Sequence, residues 1–299
     1  MSNNKTFIGY IAISFSMLFW GFSFVWTKQL LNAGFPVFTI VFFRLLIASA
    51  IFVTLFKLQH KLERVRPGDW KKFLCLAFFE PFLYFIGEDF GLQFSSASFA
   101  SVIIAQIPII VSVTMYFVEH EKLSWELMAG SCVSIVGIIM MTFAADGIVS
   151  YSIKGLCWLF LALVAAGGYS VLLSRLVQDY SPITITTYQN MLAMPFYIPF
   201  VCFFDLSKWA DISWSFQSLL SLVCLAVFCS AGAYMLYSYA AKKIGITKTI
   251  VFTNAIPIVT ILIAAILGME AFTLQKFFGI VIVVVGVIFS QMKGVFGPK

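Results

Sequence analysis

Ten apolar runs, at about 8–27, 37–56, 72–92, 97–118, 123–144, 154–174, 183–204, 216–238, 246–268 and 274–292, occupy most of the 299 residues. Crossing about 30 Å of hydrocarbon as a helix takes roughly 17–25 predominantly apolar residues. Lipid offers no partners to backbone N–H and C=O groups, so only helices and closed barrels can span it. The two-residue alternation of a membrane barrel is absent from these runs. The pattern predicts an all-α polytopic membrane protein with ten transmembrane helices. Composition points the same way: 61% of residues are hydrophobic and 11% charged, against about 25% charged in soluble proteins. The net charge of +6 does not indicate nucleic acid, because the basic residues lie in gaps between runs and not on one face.

Those basic residues set an orientation. With a cytoplasmic N-terminus, only Lys28, Lys154, Lys208 and Lys276 fall outside. All other Lys and Arg fall inside, apart from Arg44 within a span; Lys57, Lys61, Arg64, Arg66, Lys71 and Lys72 crowd one connection. The positive-inside rule then predicts both termini in the cytoplasm, in a multi-pass protein of a bacterial cytoplasmic (inner) membrane. The first run has no small-residue cleavage site and reads as a retained helix, not a signal peptide. The six cysteines sit inside apolar runs without a CxxC pair, so they read as fillers; no metal or cofactor is expected.

The chain also repeats itself. IPIIVSVTMYFVEHEKL starts at Ile107 and IPIVTILIAAILGMEAF at Ile256. An offset of 149 aligns 102–139 with 251–288 without a gap, pairing Pro108 with Pro257, Glu121 with Glu270, Gly130 with Gly279 and Gly137 with Gly286. A weaker match at offset 146 pairs Gly21 with Gly167, Pro36 with Pro182 and Arg44 with Asn190. Five spans per half is an odd number, so the second half enters the membrane from the opposite side. Two inverted five-helix repeats follow, at 1–146 and 147–299, an arrangement typical of transporters with a midplane site between halves.

The duplicated order of a small-residue turn, a helix with an internal proline, a terminal Glu and a Gly-spaced helix resembles the EamA module. That module defines ten-helix members of the drug/metabolite transporter superfamily, and two copies cover nearly the whole chain. The resemblance implies secondary transport of a small metabolite, often amino-acid export, through a cavity lined mainly by spans 1, 3, 4, 6, 8 and 9.

The prolines have a physical reading of their own. A mid-span proline frees a carbonyl, which protein or cavity water must satisfy. Pro108 and Pro257 are thus expected as matched bends lining the interior, or as structural kinks only. Glu121 and Glu270 end the fourth and ninth spans, where they could gate by pairing with Lys122 or Lys276 or cap the following hairpin. Gly130, Gly137, Gly279 and Gly286 suit close helix packing.

Ionisable groups at membrane depth need a reason. Arg44 in the second span and Glu80, Glu88 and Asp89 in the third are the four. In EPFLYFIGEDFG, steps of three and four place Glu80, Tyr84, Gly87, Glu88 and Gly91 on one helix face. Arg44 either pairs with Glu88 or Asp89 as a structural pin, or these groups bind substrate charge or a coupling proton. Glu80 is the leading candidate for function. The second half does not repeat the charges: at offset 149, Cys229, Tyr237 and Ser238 replace Glu80, Glu88 and Asp89. Its candidates are Tyr169, Gln189, Asn190, Tyr234, Tyr237 and Asn254, facing Trp20 and Gln106. His60 and His120 fall in cytoplasmic loops and cannot relay protons within the membrane.

These residues favour a transporter of a small amino-acid-like or aromatic metabolite over an enzyme, with lipid and protons as further partners and no nucleic acid. Cationic drug efflux is the runner-up. A membrane-embedded transferase fits less well, because its polar motifs would sit in longer loops than these. A receptor or scaffold would have no need of an inverted repeat.

Overall fold

A computed structural model describes residues 2–120, 125–142, 152–269 and 273–296. Glu121, Lys122 and Glu270 lie outside these residues, so the proposed gate or cap is not visible. The described chain forms α1 (Ser2–Asn32), α2 (Val37–Leu58), α3 (Trp70–Ala77), α4 (Tyr84–Gln93), α5 (Ala97–Ile104), α6 (Ile107–Glu119) and α7 (Trp125–Thr142). Then follow α8 (Ile153–Asp179), α9 (Pro182–Phe200), α10 (Phe216–Cys224), α11 (Tyr234–Ile244), α12 (Ile246–Ile250), α13 (Ile256–Ile266) and α14 (Leu274–Phe296). Among the described residues, 7 helices are long and apolar enough to cross a membrane, with shorter apolar stretches at Met128–Gly137 and Phe277–Gly286. The chain is an all-α polytopic membrane protein.

Helix starts follow the local chemistry. Ser96, Ser152, Ser181 and Ser215 each accept a backbone N–H from three residues ahead, capping α5, α8, α9 and α10. Gly245 turns α11 into α12 at φ 86°, where a side chain would be strained.

Several expected spans are broken. The third passes from α3 to α4 through a π-helical stretch, Phe78–Leu83, within which Glu80 leaves helical geometry at φ −149° and ψ 121°. Carbonyls there are answered from α9, because the Tyr197 hydroxyl donates to Pro81 O (3.1 Å) and Phe82 O (2.7 Å). The eighth is π-helical over Leu225–Ala233. The ninth contains a 3₁₀ stretch, Val251–Ala255.

Pro108 and Pro257 correct an expectation. They sit in the first turns of α6 and α13, not mid-helix. The fourth span ends at Ile104 and restarts at Ile107, so each proline stands where its missing N–H costs nothing.

Glycines set the closest helix approaches. A Cβ on Gly137 would lie 2.7 Å from Gly279 O, and one on Gly286 would lie 2.7 Å from Gly130 O. A Cβ on Gly21 would meet Val259 Cβ at 2.4 Å, while one on Gly167 would meet Thr114 Oγ1 at 2.8 Å and Ile110 Cγ2 at 3.5 Å. Gly130/Gly279, Gly137/Gly286 and Ile110/Val259 are all pairs at offset 149, so each contact recurs with its partners exchanged.

Candidate functional site

The breaks in the helices converge on one cavity. It is lined by Trp20, Ser23 and Phe24 of α1, Glu80, then Tyr84, Phe85 and Glu88 of α4. Ile107 of α6, Ala166, Tyr169 and Ser170 of α8, Tyr234 and Tyr237 of α11, Ile250, Thr253 and Ile256 complete the wall. Spans 1, 3, 4, 6, 8 and 9 thus all contribute. The volume open to water is about 30 Å³, enough for a water molecule or two, since one needs about 10–15 Å³. A metabolite would require these walls to part.

Both cavity carboxylates are buried, Glu80 at 6% exposure and Glu88 at 4%. Each accepts a tyrosine hydroxyl: Tyr234 donates to Glu80 Oε1 at 2.6 Å, and Tyr84 donates to Glu88 Oε2. The first bond joins residues from opposite halves of the sequence. Trp20 packs edge-on to Tyr234 and tilted against Tyr237, both with centroids 5.1 Å apart. Tyr169 stands nearly perpendicular to Tyr234 at 6.4 Å. Its hydroxyl makes a long 3.5 Å contact to Gln189 Oε1, while the Tyr237 hydroxyl has no hydrogen-bond partner among the described residues. Aromatic faces and buried carboxylates both attract cations, and no basic side chain is among the lining residues.

Other expected residues lie elsewhere. Arg44, Asp89 and Asn190 are wholly buried but sit outside the cavity wall. Among the described residues Arg44 makes no hydrogen bond to Glu88 or Asp89, the expected partners: its Nε donates to Ser230 Oγ at 2.8 Å, and Nη1 and Nη2 have no hydrogen-bond partner. Gln106 turns its Nε2 back to Val102 O at 3.4 Å. Asn254 is buried behind the wall with Oδ1 unpartnered. Pro108 and Pro257 leave the lining to their neighbours Ile107 and Ile256. The expected third-span face also divides: Glu80, Tyr84 and Glu88 face the cavity, whereas Gly87 and Gly91 pack against Ala162 and Leu159 of α8. Ser23, Ser170 and Thr253 were not anticipated; small hydroxyl residues within apolar helices give no periodic signal.

Polar contacts tie the bundle at both ends. At one end the Tyr180 hydroxyl donates to Asp69 Oδ2 (2.7 Å) and accepts from Arg66 N (3.1 Å). There too, Ser181 N donates to Glu63 Oε2 (2.6 Å), Lys242 Nζ to Tyr180 O (2.9 Å) and Lys72 Nζ to Asp69 Oδ1 (2.7 Å). At the other end Asp205 Oδ2 accepts from Thr39 N (2.8 Å) and Thr39 Oγ1 (3.0 Å), and Ser221 donates to Gln29 (3.0 Å). Hydrogen bonds from Lys72 and then Tyr180 hold the Asp69 carboxyl below the usual carboxylate range. Burial, then the bond to Asp69, pushes the Tyr180 hydroxyl up.

Because the Asp69 value is depressed on folding, its contribution is present above the ordinary carboxylate range and is lost as acid protonates it. Tyr180→Phe removes the shared hydroxyl and should speed hydrogen–deuterium exchange across 63–69 and 179–184 at neutral pH. In the parent protein the same segments should loosen only in acid. Unchanged exchange in the variant would show that the hydroxyl does not hold this end together.

The model of the EamA-like transporter family matches residues 7–143 and again 153–292. This chain belongs to the EamA-like transporter family. An uncharacterized transporter of Archaeoglobus fulgidus is 26% identical over 279 residues, covering 93% of this chain and 96% of that one. The uncharacterized transporter YetK of Bacillus subtilis is 22% identical over 293 residues, covering 95% and 87%. A crystal structure shares the fold at TM-score 0.74 and 15% identity, over 97% of each chain. Membership in this family makes the protein a membrane transporter of the drug/metabolite superfamily and not an enzyme.

Proposed function

We propose that this protein is a secondary transporter that exports a small aromatic or amphipathic amine by alternating access around the Glu80–Glu88 cavity. The observation carrying the reading is the wall itself: two buried carboxylates among aromatic rings, with no basic side chain. An ammonium group would meet Glu80 or Glu88, and an apolar body would lie on Trp20, Tyr234 and Tyr237. An amino-acid-like substrate would place its amine in the same way. Its carboxylate would find no positive partner, which favours amines lacking one.

The frame of the proposal is a pair of inverted five-helix repeats crossing the membrane ten times, with both termini in the cytoplasm of a bacterial inner membrane. The exchanged glycine contacts support it. So does the neighbour pattern, in which α1 packs on α13 and α11 while α8 packs on α6 and α4. A two-fold axis in the membrane plane would produce both. The ties at either end then read as two gates, with the Asp69–Tyr180 cluster on the cytoplasmic side, and protons as the coupling ion on the same carboxylates.

Counterflow in proteoliposomes tests the reading. Phenethylamine inside should drive uptake of labelled phenethylamine without chemical change, and phenylalanine should compete at least tenfold less well. Phenethylamine at about 100 times its Kd should also stabilise the purified protein by about 2.7 kcal/mol. Exchange of phenylalanine but not of phenethylamine would overturn the amine assignment.

A further inference from the structure

Behind the cavity wall lies a second polar group of residues that the transport reading has not used. Arg44 has no exposed surface, and its guanidinium carbon stacks 4.0 Å from the centroid of the Phe85 ring. Phe85 lines the cavity, whereas Arg44 does not, so the ring partitions the two compartments. The guanidinium Nε donates to Ser230, while Nη1 and Nη2 have no hydrogen-bond partner among the described residues. Asp89, also without exposed surface, has no hydrogen-bond partner on either carboxylate oxygen among the described residues. Asn190 donates Nδ2 to Ser230 O at 2.8 Å and leaves Oδ1 free.

Buried polar atoms are paired in the great majority of cases, and removing either member of a buried ion pair is strongly destabilising. Nη1 and Nη2 of the guanidinium and the Asp89 carboxylate, buried without hydrogen bonds to other described residues, are free to pair in a second arrangement. Helix geometry supplies it. On α4, Glu88 and Asp89 follow Phe85 by three and four residues, so both flank the ring under the guanidinium. Glu88 opens into the cavity and Asp89 does not.

We infer that Arg44 is an internal counter-ion that moves between Asp89 behind the wall and Glu88 in the wall according to the charge held in the cavity. When an ammonium or a proton occupies Glu88, the guanidinium is released to Asp89. When the cavity empties, Glu88 recaptures it, so the carboxylate is never left unpaired in lipid. Arg44 and Asp89 are thus positioning residues acting through Glu88, and the rotation past Phe85 links cavity occupancy to the packing of α2 on α4. The other ionisable groups facing this exchange are Glu80 and Tyr84 from the third span, Tyr169 from α8, Tyr197 from α9, Cys229, and Tyr234 and Tyr237 from α11. Among the described residues none of these is a competing cation. The inference rests on the proposed cavity and its amine site.

Two measurements on the full-length protein decide it. Double-mutant cycles in equilibrium unfolding, Arg44→Gln with Glu88→Gln and Arg44→Gln with Asp89→Asn, should each show coupling of at least fivefold in the unfolding constant. Coupling to Asp89 alone would reduce Arg44 to a fixed pin, and coupling to neither would remove the pair; either result overturns the inference. Phenethylamine affinity gives the second readout. Asp89→Asn should weaken it about tenfold by confining Arg44 to Glu88, and Arg44→Gln/Asp89→Asn should strengthen it beyond the parent. That double variant leaves no orphan charge and keeps the test intact if Arg44→Gln alone does not fold. Equal affinity in all variants would overturn the counter-ion role. A parent protein that binds no phenethylamine would instead sink the amine assignment, with the unfolding cycles still deciding the fate of Arg44.

Discussion

Replacing Glu80 by glutamine should lower phenethylamine exchange by about 10- to 100-fold while leaving the unfolding midpoint near that of the parent. Glutamine keeps the shape and an oxygen to accept the Tyr234 hydroxyl, now 2.6 Å from Glu80 Oε1. What it removes is the charge. A hydrogen bond to a charged group contributes about 1.5–3 kcal/mol, and about 1.4 kcal/mol is a factor of ten in binding. The loss should appear in exchange and in amine affinity together, since the same carboxylate would hold the ammonium in every state. Tyr234→Phe, which leaves the carboxylate in place but unbraced, should cost less than Glu80→Gln. Parent-like exchange by Glu80→Gln would take Glu80 out of the mechanism and leave Glu88 as the only acid in the cavity wall.

Leucine at Gly137 or at Gly286 should destabilise the protein by more than about 1–3 kcal/mol, the usual cost of overpacking, and by similar amounts at the two sites. A Cβ at Gly137 would already press on Gly279 O at 2.7 Å and Val283 N at 2.8 Å. At Gly286 it would lie 2.4 Å from Ser134 Oγ and 2.7 Å from both Gly130 O and Ser134 N. Backbone atoms cannot turn aside, so α7 and α14 would have to separate. The equal cost tests the two-fold relation directly, because Gly137 and Gly286 are counterparts and the backbones they press on, at Gly279 and Gly130, are counterparts as well. Gly68→Ala, with nothing within 4 Å of the added carbon, should leave the unfolding midpoint unchanged. Unequal penalties at Gly137 and Gly286 would argue against a symmetric α7–α14 contact.

The site was legible in the sequence only in part, and the misses share a cause. Glu80, Tyr84, Glu88, Tyr234, Tyr237 and Trp20 stand in the cavity wall, each a polar or amphipathic residue within an apolar run. Gly87 and Gly91 were placed on the Glu80 face by a period of 3.6 residues. Tyr84 and Glu88 keep the cavity face of α4, and Gly87 and Gly91, each three residues after one of them, lie at the edge of that face and turn to α8. In the second half Thr253 lines the cavity and Asn254, the next residue round the turn, does not. Pro108 and Pro257 were expected as bends, but they stand in the first turns of α6 and α13, after the breaks.

Hydropathy and repetition are local properties, readable along the chain without knowing what touches what. They determined the membrane, the helical class and the transporter family. Contacts across 154 residues, between Tyr234 and Glu80, or across 186, between Arg44 and Ser230, carry no such signature. They depend on how irregular turns rotate side chains and on how closely glycines let helices approach. For that reason only the packed bundle separated the acids that face the cavity from Arg44 and Asp89, which are buried outside its wall.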